Sequence, residues 1–130
     1  MEARLDLIVF LRARLAEDEA VARAAGAGLG PAWTYNCMCV IALAEGDQVA
    51  TGSQDALEAE RGDHIARHDP ARVLREVEAK RALADDYERF VAERRRMMDG
   101  WDSYPEISPV LTAFAAIYAD HPDYREEWRP

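Results

Sequence analysis

Two places in this chain set a capping side chain directly before a proline: Asp69-Pro70 and Ser108-Pro109. The proline ring pushes the residue before it out of the helical region, and proline itself sits without loss at the first helical position. The side-chain oxygen of Asp or Ser can then accept from a free N–H of the first turn. Each pair therefore closes what precedes it and opens a new helix. A third break, the glycine-rich run from Gly26 to Gly30 before Pro31, ends an N-terminal segment. A chain punctuated in this way folds as several helices joined by short connections.

The segments between the breaks carry their own periodicities. Leu5, Ile8, Val9, Leu11, Leu15 and Ala22 fall within one arc at about 100° per residue, with Asp6, Arg14 and Glu17 facing away, which predicts a helix over 4–25. Leu7, Phe10 and Val21 project on the side of Arg14 and leave room there for a second contact surface. Trp33, Tyr35, Cys37, Cys39, Ile41 and Leu43 then alternate with Thr34, Asn36, Met38, Val40 and Ala42, the signature of a strand. Glu45-Gly46-Asp47 reads as a turn and Gln48 to Thr51 as its return, so a hairpin is expected over 33–51. Gly52-Ser53-Gln54-Asp55 offers caps for a helix over 56–67.

Pro70 opens the longest helix, 70–97, with Val73, Val77, Ala84, Tyr87 and Val91 inward and the Glu76/Lys80 and Asp85/Arg89 pairs outside. Gly100 to Pro105 is expected as a loop. The helix expected over 109–119 carries Val110, Leu111, Phe114, Ile117 and Tyr118, is apolar nearly all round, and should sit centrally. Residues 120–130 have room for one helical turn with Tyr124 and Trp128 on one face, a C-terminal clasp. The expected fold class is mainly α: a small helical domain of about four helices with one short β-hairpin, α+β being the alternative, and all of 1–130 in a single domain.

Length and charge exclude several function classes. At 130 residues the chain is too short for a barrel or a doubly wound nucleotide-binding sheet. The 16 basic against 25 acidic side chains leave a net charge of −9, which disfavours nucleic acid, since such binding rests on Lys and Arg displacing counterions. An acidic face that mimics DNA is a weaker alternative. No apolar run approaches the ~18 to 20 residues of a membrane span. The start Met1-Glu2-Ala3-Arg4-Leu5-Asp6 lacks the basic and apolar regions of a secretory signal, so a cytoplasmic location is expected.

Two long stretches carry a family resemblance. Asp63 to Lys80, reading DHIARHDPARVLREVEAK, and the ending Tyr118 to Pro130, reading YADHPDYREEWRP, resemble a numbered, uncharacterised family of small actinobacterial proteins, common in streptomycetes and also met in their phages. Phe10 to Ala24 resembles the same family's first helix. The chain departs from it at Gly28-Leu29-Gly30-Pro31-Ala32-Trp33, where members carry a Thr-Pro-Gly-Pro-Trp turn, and in a short segment between Trp33 and the His-containing motif. The resemblance implies a lineage and a compartment, and no catalytic residues.

The residues that could carry chemistry are few. His64 and His68 stand at i and i+4, with Glu60 one turn earlier, so all three can share a helix face, and His121 lies in the second motif. Glu60, His64, His68 and His121 are therefore candidate ligands of a divalent metal such as zinc, although Ile65 stands where a zinc protease would carry its general base. The competing reading makes His68 a helix-end cap and His64 a surface residue. Cys37 and Cys39 are free thiols or metal ligands. As i and i+2 residues of a strand they would stand about 6.5 to 7 Å apart, too far for one zinc, so burial on an inward face is the simpler reading.

Tyr124, Arg125, Trp128 and Arg129 bring hot-spot residue types to the tail and are candidate partner-binding residues, the alternative being a structural clasp. No glycine-rich phosphate loop or nucleophilic constellation is present, so no catalytic residue and no resident cofactor is assigned. The leading expectation is a non-enzymatic accessory protein, of host or phage, acting through protein–protein contact or self-association. The alternative is a small metal-binding protein or hydrolase built on His64, His68 and His121.

Overall fold

The computed structural model describes residues 2–98 and 108–130, with side chains from residue 6 onward; the loop expected over Gly100 to Pro105 lies outside the described residues. The architecture is mainly α, with four helices and one small antiparallel sheet among the described residues. The helices are α1 (Glu2–Gly26), α2 (Ala59–Arg67), α3 (Pro70–Met97) and α4 (Pro109–Ala116). The strands are β1 (Trp33–Tyr35), β2 (Val40–Ala42) and β3 (Gln48–Ala50). The chain gathers into two compact units, one of residues 1–16 with 78–130 and the other of residues 17–77.

In the first unit, Leu7, Ile8, Phe10 and Leu11 of α1 form a core with Leu111 and Ala115 of α4 and with Trp128. Phe10 is its hub. The rings of Tyr118, His121, Tyr124 and Trp128 lie 6.4, 5.7, 6.1 and 5.0 Å from it, mostly edge-on, the arrangement that aromatic quadrupoles favour. The second contact surface expected on the Arg14 side of α1 is therefore real, and it holds the C-terminal segment. Arg14 itself, expected to face away, is only 8% exposed, whereas Val9, expected inward, is 67% exposed. Ile8, Leu11, Leu15 and Ala22 stay buried as the arc predicts, and the aromatics of the tail widen the buried face to the Arg14 side at Leu7 and Phe10, though not at Val21, which is exposed.

Val77, Ala84 and Val91 of α3 are buried as their spacing requires. Among the charged side chains, Glu76 meets Arg72 at 3.0 Å and Asp85 meets Arg12 of α1 at 2.7 Å. The α4 helix ends at Ala116, short of the expected 119. It is apolar on every side but buries only Leu111, Thr112 and Ala115, while Val110 and Ile117 are exposed, so the expectation of a central helix is corrected. At its start Ser108 Oγ accepts from the Val110 N–H at 3.2 Å. The tail closes with one 3-10 turn, Glu126–Trp128.

In the second unit the strands run in the order β1-β2-β3, all antiparallel, with Trp33 opposite Ala42 and Tyr35 opposite Val40, and an irregularity between Val40 and Ile41 on the β3 side. The single strand expected over 33–43 is broken. Asn36 Oδ1 accepts from the N–H groups of Met38 and Cys39 at 3.0 and 2.9 Å, which folds residues 36–39 into a turn, with Cys37 in the left-handed region at φ 74°. Alternation of apolar residues could not reveal this, because the decisive group is the Asn36 amide.

Helix α2 begins at Ala59, three residues later than expected. Residue 57 is committed elsewhere: its N–H donates to Met38 O at 2.6 Å and its carbonyl accepts from the Tyr35 hydroxyl at 2.6 Å. Residues 53–55 form a 3-10 turn instead of a cap. The Tyr35 ring packs against Gly62 of α2, where an added Cβ would collide with Tyr35 Cδ1 and its ring neighbours. Asp69 joins helix and sheet: Oδ1 accepts from the Arg72 N–H at 2.9 Å, capping α3, and Oδ2 accepts from the Trp33 N–H at 3.0 Å.

Candidate functional site

The histidine row stops where its helix stops. Arg67 is the last helical residue of α2, and His68 leaves the helical region at φ −103°, ψ 41°. The two imidazoles face one another, with ring centroids 4.5 Å apart and planes tilted by 38°. The His68 N–H and the His68 Nδ1 both reach His64 O, at 3.2 and 2.9 Å. A carbonyl only accepts, so Nδ1 carries the proton there, and His68 is the C-cap of α2. Both histidines and Glu60 are exposed.

Glu60, His64 and His68 belong to the second unit and His121 to the first. Among the described residues no group of three or more His, Cys, Asp or Glu side chains is arranged to hold a metal ion. Zinc would need four donors in a closed site, or three with an open position. What the second unit presents is a pair of stacked imidazoles with one nitrogen already engaged.

His121 is engaged from two directions. Arg14 Nη1 donates to its Nδ1 at 2.9 Å, and the Asp123 N–H donates to the same atom at 3.0 Å. The Asp123 carboxylate stands 3.9 Å from Arg14 Nη1, and the guanidinium lies over the Phe10 ring at 5.2 Å. The sequence pointed to His121 as a ligand; the structure uses it as an acceptor beneath a buried cation.

The tail residues divide by exposure. Trp128 is 1% exposed, so its indole has no surface to offer a partner while the tail is docked. Tyr124 is half-buried against Phe10 and Trp128. Arg125 donates to Asp6 Oδ2 at 2.9 Å and lies over the Trp128 ring at 5.4 Å, and the bond to Asp6 raises its already high pKa. Arg129 forms a two-pronged pair with Glu126, both contacts 2.8 Å, and this bond holds the Glu126 carboxyl below its ordinary value. The contacts of Tyr124 and Trp128 are those of a clasp, and only Arg125 and Arg129 remain at the surface.

A surface the sequence did not single out lies between α3 and the start of α4. It is a groove of about 380 Å³ lined by Leu83, Asp86, Tyr87, Phe90, Ser108, Pro109, Val110 and Leu111. Leu83, Phe90 and Val110 are 47%, 42% and 53% exposed. Leu83, Tyr87 and Phe90 stand at i, i+4 and i+7, one face of α3 set about 100° aside from the buried Ala84 and Val91 row. That second row was the available signal. Tyr87, which sits between the two rows, masks it by completing the first.

No curated protein and no solved structure matches the chain. One family model does, across residues 4–130, which include the whole of the sheet, all of α2 to α4 and the tail. The chain therefore belongs to a family of unknown function, DUF6221.

Proposed function

We propose that the chain is a non-enzymatic accessory protein of the actinobacterial cytoplasm, host or phage encoded, that acts by docking an apolar helix of a partner protein into the groove between α3 and α4. The observation that carries this reading is the exposure of Leu83, Phe90 and Val110 along one groove. Large apolar side chains clustered at a surface mark interaction sites far more often than isolated ones do. The i, i+4, i+7 spacing of Leu83, Tyr87 and Phe90 on α3 suits the side chains of a second helix laid alongside.

A photo-crosslinking residue placed at Val110 tests the reading in cells that carry the gene. One reproducible crosslinked protein is expected, lost in Leu83→Asp and Phe90→Asp and absent when the crosslinker stands at Thr51. Sedimentation of the purified chain separates a second copy from a foreign partner. Absence of a reproducible crosslink at Val110, together with a turnover found in an unbiased activity screen, overturns the reading.

A further inference from the structure

The C-terminal part of α1 carries a face that the fold leaves partly uncovered. Asp18, Val21 and Ala25 stand at i, i+3 and i+7 of that helix, and Val21 is 70% exposed. With Trp33 at the start of β1, His68 at the cap of α2 and Val73 of α3 they line a cavity of about 290 Å³ that lies wholly within the second unit. Four elements thus meet around one space, near the lower end of the volumes that hold small organic molecules.

The polar atoms of this wall have a definite sense. The Trp33 indole N–H is engaged by Gly30 O at 3.1 Å, which leaves the ring its carbon edges and its π face. His68 Nδ1 donates to His64 O at 2.9 Å, so the lone pair of the neutral imidazole is on Nε2. Asp18 adds a half-buried carboxylate, which has lone pairs for more than one donor. A guest therefore meets two acceptors, one of them negative, beside an indole whose π face is itself attractive to cations. Val21, Ala25 and Val73 around them suit an apolar body attached to that cation.

We propose that this cavity binds a small arylalkylamine. Its ring lies among Val21, Ala25, Val73 and the Trp33 indole, and its ammonium donates to the Asp18 carboxylate, with His68 Nε2 as a second acceptor. A flat ring can meet the indole in the offset or edge-on arrangement that aromatic pairs favour, which an alkyl chain cannot. Binding is reversible and makes no covalent bond. The site shares no residue with the groove between α3 and α4, so the two readings stand or fall separately.

The test titrates the full chain with phenethylamine and follows nitrogen–proton correlation spectra, the Trp33 indole resonance being assigned from Trp33→Phe. Saturable shifts are expected for that resonance and for amides of residues 18–25 and 68–73. Asp18→Asn should weaken binding by more than about tenfold, the scale of a hydrogen bond to a charged group, and His68→Phe by about two- to tenfold. Phenethyl alcohol, the same body without the charge, should bind at least about tenfold more weakly, and hydrocinnamate, with the charge reversed, should not bind. Butylamine, which has the reach of a lysine side chain but no ring, should also lose about tenfold or more. Ala25→Trp, at an exposed position, should fill the cavity and abolish binding, and circular dichroism checks that each variant keeps its helices. An unmoved indole resonance, equal affinity for the alcohol or the acid, or affinity unchanged in Asp18→Asn or Ala25→Trp overturns the proposal. Butylamine bound as tightly as phenethylamine overturns it too, because the site would then take a bare cation such as a partner's lysine.

Discussion

Arg14 Nη1 donates to His121 Nδ1 at 2.9 Å, joining residues 107 positions apart, and the Asp123 N–H donates to the same nitrogen at 3.0 Å. Two donors aimed at one ring nitrogen require that it offer a lone pair. His121 is therefore the tautomer with its proton on Nε2. Long-range nitrogen–proton correlation spectra at neutral pH should show that form for His121 and the Nδ1–H form for His68. An Nδ1–H form at His121 would refute the assignment. Arg14→Ala should cost about 1–3 kcal/mol in urea unfolding, since it removes a charged hydrogen bond to the part-buried His121 ring and strips packing from Phe10.

Trp128 fills the core around Phe10, but its indole N–H is buried without an acceptor among the described residues. Trp128→Ala should cost about 3–5 kcal/mol, the usual range for emptying a large aromatic site. Trp128→Phe should cost much less, because it removes that unpaired N–H along with part of the ring. Denaturant midpoints for both variants check the ranking; equal losses would show that the N–H is satisfied.

Gly62 has no room for a side chain beneath the Tyr35 ring. Gly62→Ala should destabilise the protein by about 1–3 kcal/mol despite alanine's better helix propensity. The double variant with Tyr35→Ala should recover most of the clash, so the two losses should not add. Simple additivity in a double-mutant cycle would count against the contact.

The Tyr35 phenol has its pKa raised above the ordinary 10.0, first by desolvation and then by Cys37, Asp63, Glu60 and Cys39. The neutral hydroxyl donates to Leu57 O, which a phenolate cannot do. The folded chain holds this proton at pH values where the unfolded chain has lost it. Its contribution to stability is therefore complete below the ordinary value and is lost as pH rises through the folded one. In a titration of tyrosinate absorbance Tyr35→Phe should remove a step that lies above the ordinary value.

The extent to which the sequence was legible follows from how local each determinant is. Helix α3 is readable because its proline and its buried row lie within it and its cap, Asp69, directly before it. The start of α2 is not, because Leu57 is held by Met38 and Tyr35 through contacts that no helical pattern encodes. The break at residues 36–39 is hidden by the alternation that Cys37 and Cys39 continue, because the Asn36 amide, which accepts from the N–H groups two and three residues on, decides the matter. The histidine row was read with the right spacing, but α2 ends one residue before its third member. The pairing of Arg14 with His121 had one faint trace, the apolar side chains Leu7 and Phe10 on the arginine side of α1. The groove residues Leu83 and Phe90 lay in plain sight as a second row on α3.

Asp69 binds the Trp33 N–H with one oxygen and the Arg72 N–H with the other. A sheet of three-residue strands is too small to hold itself together in water. While α3 is unformed, nothing fixes this carboxylate at the edge of β1; once α3 begins, the same group marks where β1 starts. Helix initiation and strand placement are then one cooperative event, and residues 33–50 should lose their amide protection together with residues 70–77 instead of fraying ahead of them.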